Sequence, residues 1–114
     1  MRTAGVVGME REAEFMRALA HPGRLVILET LSQGEECVCH LSALLERPQP
    51  YVSKQLAELR EAGLVDDRRD GQRVYYRLAE PRVAELLAAA RALSGRPASV
   101  ARRVVPGCAC PRCA

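Results

Sequence analysis

Apolar side chains recur at helical spacing in five separate stretches of the chain, with a hairpin signal between the fourth and the fifth. Over residues 9–20, Ala13, Met16 and Ala20 fall on one stripe with Phe15 and Leu19 beside it. Glu10, Glu12 and Glu14 load the first turns with charge that suits the positive end of a helix. His21-Pro22-Gly23 ends this helix and starts another, because proline is tolerated at the first helical position. The second helix covers residues 22–32 with Leu25, Leu28 and Leu31 inward, and it stops at Gly34. A third, over 38–46, turns Leu41, Leu44 and Leu45 to one face until Arg47-Pro48-Gln49-Pro50 breaks it. The fourth, 50–62, carries Val52, Leu56 and Leu59 on one side and ends at Gly63. Residues 64–68 and 73–78 then read as two strands around Asp70-Gly71, a strong hairpin signal. The fifth helix, 81–94, has a stripe of Val83, Leu86, Leu87, Ala90 and Leu93, with small alanines at 88–90 that leave room for a partner helix. Beyond Gly95 no period remains.

This order predicts a mainly α fold with a small β-hairpin: five helices plus a two-stranded wing, a winged helix-turn-helix. Length agrees with one core: 114 residues make a single domain, 9–94, between a flexible N-terminus, 1–8, and a flexible basic tail, 95–114. Aromatics are only 4% against 48% hydrophobic residues, so aliphatic side chains build the core, which favours packed helices. No segment approaches the ~20 apolar residues that span a bilayer, and no signal-peptide run opens the chain, so a soluble cytoplasmic protein without membrane contact is expected. There is no Ser-His-Asp set, phosphate loop or paired-carboxylate cleft, which points away from an enzyme and from a small organic substrate.

Charge shifts the picture toward nucleic acid. Net charge is +3, and sixteen of the seventeen basic residues are arginine, whose planar fork suits phosphates and guanine edges. In a helix-turn-helix the second helix enters the major groove with its N-terminal residues against base edges. Here that presents Gln49, Tyr51, Ser53, Lys54 and Gln55, while Arg68, Arg69, Gln72 and Arg73 on the hairpin are placed to grip phosphates or the minor groove. The plain alternative is a polar helix surface and an ordinary charged hairpin.

All five cysteines fall in two clusters: Cys37 and Cys39, and Cys108, Cys110 and Cys113 in the tail. In a reducing cytosol such spacing points to metal ligands or redox groups rather than a disulfide framework. Residues two apart on a helix point about 200° apart, so Cys37 and Cys39 at the start of the third helix are expected to hold one ion only by distorting that turn. An ion there would pull on the reading pair. Soft thiolates suit arsenic(III), cadmium(II), lead(II), copper(I) or zinc.

Leu19-Ala20-His21-Pro22-Gly23-Arg24-Leu25, Gln49-Pro50-Tyr51-Val52-Ser53-Lys54-Gln55-Leu56, Leu59-Arg60-Glu61-Ala62-Gly63-Leu64-Val65 and the wing from Arg69 to Leu78 closely resemble the ArsR/SmtB family of metal-responsive repressors. The resemblance covers residues 9–94. It implies a homodimer, joined by its first and last helices, that binds palindromic double-stranded operator DNA and leaves it when an inducer binds. Glu36-Cys37-Val38-Cys39 is similar to the Cys-Val-Cys-Asp segment of the arsenic- and cadmium-responsive members, and the arsenic(III)-responsive ones are nearest. Two departures matter. Ser42 stands where arsenic sensors with all ligands in this helix carry a third cysteine, and His40, a ligand in some zinc-type members, replaces the usual Asp. The fifth helix has no His, so the zinc site of other members is absent from it. The fourteen residues from Ser94 to Cys108 reach up to about 45 Å, so a tail cysteine can supply the third thiolate from either protomer. Arsenic(III) or antimony(III) is the expected inducer. Cadmium, lead or zinc with sulfur ligands or His40, a redox or persulfide switch, and a thiolate metal carrier stay open.

Overall fold

Aliphatic side chains from all five helices and the sheet meet in one core in the computed structural model, which describes residues 4–95. The elements are α1 (Ala4–Leu19), α2 (Pro22–Leu31), β1 (Glu36–Cys37), α3 (Val38–Leu45), α4 (Gln49–Glu61), β2 (Val65–Asp70), β3 (Arg73–Leu78) and α5 (Arg82–Ser94). At the centre Ile27 and Leu28 of α2, Leu41 of α3, and Val52, Leu56 and Leu59 of α4 are fully enclosed. No described helix is long and apolar enough to cross a membrane.

The inward faces of the outer helices differ from the expected stripes. Helix α1 begins at Ala4, so residues 4–8, expected as a flexible lead, are helical. It turns Phe15, Ala18 and Leu19 toward the core, while Met16 and Ala20 are exposed. Those three sit at i, i+3 and i+4, and the larger apolar area of Phe15 and Leu19 outweighs two alanines in setting the rotation. On α2, Leu28 and Leu31 are inside as expected, but Ile27 takes the place of Leu25, which is half out in solvent. On α5, Val83 and Leu87 are buried, whereas Leu93 is 90% exposed.

His21 closes the turn into α2 as a cap: its Nδ1 accepts hydrogen bonds from the backbone N–H of Gly23 at 3.1 Å and of Arg24 at 3.4 Å. An ion pair of wide sequence separation joins α2 to α5, with Arg91 Nη1 donating to Glu29 Oε1 at 2.8 Å and the Glu29 carboxylate almost wholly enclosed.

The sheet has three antiparallel strands in the order β1-β3-β2, not the two of a simple wing. Two residues are too short for a periodic signal, and β1 exists because the edge of β3 offers Tyr76 and Tyr75 as partners to Glu36 and Cys37. β2 and β3 pair from Val65↔Leu78 to Asp70↔Arg73, closing on Gly71-Gln72 with Gly71 at φ 64°. Gly63 links α4 to this hairpin. At φ 81° it closes the helix, with Leu64 N–H donating to Leu59 O at 2.9 Å and Gly63 N–H to Arg60 O at 3.0 Å. Nothing lies within 4 Å of where a side chain would stand, so Gly63→Ala tests the backbone conformation alone. It is expected to lower stability by about 1 kcal/mol, measured by urea denaturation.

Candidate nucleic-acid interface and dithiol site

Helix α4, expected to read DNA, is set by its neighbours more than by its own sequence. Pro48 in extended conformation precedes its first turn, and Glu46 in the left-handed region ends α3 just before it. On the resulting surface Gln49, Ser53 and Lys54 are exposed. Arg24 of α2 then pins the helix from behind. Its Nε donates to Gln55 Oε1 at 2.7 Å, its Nη2 pairs with Glu58, and its Nη1 donates to the Ala18 carbonyl of α1 at 3.2 Å. Arg24 therefore joins α1, α2 and α4 through one guanidinium.

On the hairpin, Arg69 and Gln72 are exposed. Arg68 is engaged elsewhere: Nη2 and Nε donate to the two Glu35 carboxylate oxygens at 2.8 and 3.1 Å, and the guanidinium stands 5.0 Å from the Tyr75 ring centre. The Glu35 hydrogen bond, above all, raises the Arg68 pKa. Arg60 of α4 reaches Asp67 of β2 at 3.3 Å, tying helix to wing.

The two thiols converge. Cys37 is the last residue of β1 and the N-cap of α3, at φ −85° and ψ 163°, so it lies outside the helical spiral to which Cys39 belongs. That extended backbone brings the two Sγ atoms to 2.8 Å, longer than the ~2.05 Å of a disulfide. Cys37 is buried against Tyr75, and Cys39 is half-buried beside it. Both line an open cleft of about 240 Å³ whose other walls are Val38, Gln72, Arg73 and Val74. His40 is 2% exposed, with Nδ1 3.6 Å from Oε1 of the enclosed Glu36. Among the described residues no group of three or more His, Cys, Asp or Glu gathers for a metal ion.

Residues 21–67, which hold α2, the turn and α4, match the model of bacterial regulatory proteins of the arsR family. A biofilm growth-associated repressor of Agrobacterium fabrum is 48% identical over 81 residues, 71% of this chain and 69% of that one. The chain belongs to the arsR family. Among solved structures, the homodimeric winged helix-turn-helix DNA-binding domain Mb0332 of Mycobacterium bovis superposes with a TM-score of 0.73 at 33% identity, covering 83% of this chain and 88% of that one. An arsenic resistance transcriptional regulator of Pseudomonas putida is 61% identical over 46 residues, 40% of this chain and 36% of that one. This arsR-family chain is thus a DNA-binding transcriptional regulator with a winged helix-turn-helix, and not an enzyme.

In this arsR-family regulator the sequence-derived site residues separate into groups. Gln49, Ser53, Lys54, Arg69 and Gln72 are exposed, and Arg73 is half-buried at the cleft. Gln55, expected to face base edges, is buried and bonded to Arg24. Tyr51 is half-buried, with Arg47 4.1 Å over its ring, and a methyl group on Gly23 would stand 3.0 Å from its hydroxyl. Arg68 is held by Glu35. His40 faces Glu36, and among the described residues no group of three ligands gathers around the thiols. The expectation that Cys37 and Cys39 point to opposite sides is corrected, since only Cys39 is inside the helix. Cys108, Cys110 and Cys113 lie outside the described residues. Arg24 and Glu35 escaped the sequence reading. Arg24 sits in the family-like stretch 19–25, but its partner Gln55 lies 31 positions away, and the Glu35–Arg68 pair spans 33.

Proposed function

We propose that this regulator is a homodimeric repressor that leaves its operator when arsenic(III) or antimony(III) is captured by Cys37 and Cys39. The observation that carries this reading is the convergence of the two thiols at the mouth of a cleft against the wing. Two soft donors in contact fit a thiophilic ion without rebuilding the α3 turn. The third thiolate, for which Ser42 is no substitute, comes from Cys108, Cys110 or Cys113. The resemblance to an arsenic resistance regulator over 46 residues supports this choice of ion.

Dimerisation is supported by apolar side chains left on the outer helices: Val6, Val7, Met9 and Met16 on α1 and Leu93 on α5 are all exposed. A two-fold dimer covers such faces and presents two reading helices to a palindrome. The Mycobacterium bovis neighbour is homodimeric. Gln49, Ser53 and Lys54 then address base edges and phosphates, with Arg69, Gln72 and Arg73 on the flanking backbone. Lys54→Ala should weaken binding across operator sequences and flatten the plot of log affinity against log salt by about 2, one phosphate contact per protomer.

Sodium arsenite titrated onto the protein–operator complex, followed by fluorescence anisotropy, tests the whole reading. Operator affinity should fall by roughly 10-fold or more. Affinity that stays constant through arsenite, antimonite, cadmium, lead and zinc overturns it. A redox switch is the second reading, favoured by sulfur atoms in contact with no third ligand gathered among the described residues. It requires an oxidant to take two electrons as the two thiols lose their protons and join, and mass spectrometry would show the loss of two hydrogens.

A further inference from the structure

The segment that carries the thiols is also the segment that holds the wing. Glu35 receives both hydrogen bonds from Arg68 of β2 and lies 4.0 Å from Arg77 of β3. The next two residues, Glu36 and Cys37, pair with Tyr76 and Tyr75 of β3, and Cys37 packs on the Tyr75 ring that Arg68 also faces. Across the cleft from the thiols stand Gln72, Arg73 and Val74, the turn and first residues of β3. Residues 35–39 therefore touch both long strands of the wing. The reading helix has a different anchor: Arg24, reaching from α2 to Gln55 and Glu58.

We infer that occupancy of the Cys37–Cys39 dithiol is transmitted to DNA through the wing, with Glu35 as the positioning residue that couples the thiol segment to Arg68 and Arg77. The inference rests on the dithiol reading above and specifies how that site is read out. Three physical features favour this route over one through α4. An ion held by both thiols and a further donor occupies space bounded by the wing turn. The tip of the hairpin beyond Arg68 has little to resist displacement, because residues 69–72 are all exposed. Wing contacts also fall on phosphates, so moving the hairpin lowers affinity directly and reduces its salt dependence.

Hydrogen–deuterium exchange of the full-length protein without DNA, with and without sodium arsenite, separates the two routes. Amides of 66–77 should change their exchange on arsenite addition, while those of 49–61 keep theirs. Glu35→Gln supplies a second measurement. It keeps a hydrogen-bonding side chain but loses the charge, and the ratio of operator affinities without and with arsenite should shrink by at least about 3-fold, from an ordinary coupling of roughly 5- to 150-fold. Unaltered thermal unfolding of this variant assigns the loss to coupling rather than misfolding, and the exchange experiment on the parent protein stands independently of it. Arsenite bound by mass, with exchange altered in α4 and unaltered in the wing, overturns the wing route and leaves the dithiol reading intact. Arsenite that adds no mass to the protein overturns both.

Discussion

Replacing Cys39 by serine is expected to abolish release by arsenite, raising the arsenite needed for half-dissociation by at least about 100-fold, while operator affinity without arsenite stays within about 3-fold of the parent. A hydroxyl is a hard, protonated donor at neutral pH, and removing one of two touching thiols takes one sulfur from the proposed three-thiolate set and breaks the preformed chelate. Cys39 is the cleaner position because it is half-buried and unconnected to the β1–β3 ladder. Cys37→Ser should lose the response equally, but its hydroxyl would sit enclosed against Tyr75, at about 1–2 kcal/mol of stability. Anisotropy titrations of both variants beside the parent check the expectation. A double variant that still releases DNA at the parent's arsenite concentration would move the sensing function to Cys108, Cys110 and Cys113 alone.

The largest effect on stability should come from Arg91→Ala, at about 2–3 kcal/mol of destabilisation. Arg91 reaches 62 positions back along the chain to Glu29, whose carboxylate is 4% exposed between α2 and α5. Removing the guanidinium takes the cationic partner from an enclosed carboxylate, so the penalty exceeds the worth of the pair itself. Truncating both partners separates these terms: Glu29→Leu with Arg91→Ala should recover most of the loss, since no stranded charge remains. Urea denaturation of the three variants measures it. A double variant as unstable as Arg91→Ala would mean that α5 packing, rather than the enclosed charge, carries the effect. Because Leu93 lies on the same helix, the single variant should also raise the protein concentration at which a dimer forms, measured by sedimentation.

Periodicity and turn chemistry located what is local. Helical spacing of apolar residues placed all five helices, prolines at 48 and 50 placed the turn, and Asp70-Gly71 placed the hairpin, each signal spanning only a few residues. Where the apolar pattern was ambiguous it failed in rotation, as on α1, because alanine contributes too little area to decide which face turns inward. The thiol pair shows the limit most clearly. Cys37 and Cys39 are legible in the sequence as two closely spaced thiols, but their mutual direction is not, because only Cys39 is helical.

The sequence by itself determined the order of the five helices and the hairpin, the family and the residue types available to the site, because these depend on residue type and on neighbours a turn or two away. Only the tertiary structure decided which of those side chains are available. Arg24 draws Gln55 inward, Glu35 takes Arg68, and β3 holds Cys37 in extended conformation so that its sulfur meets that of Cys39. Each depends on a partner more than 30 positions away, and such a distance becomes a contact only once the core has closed.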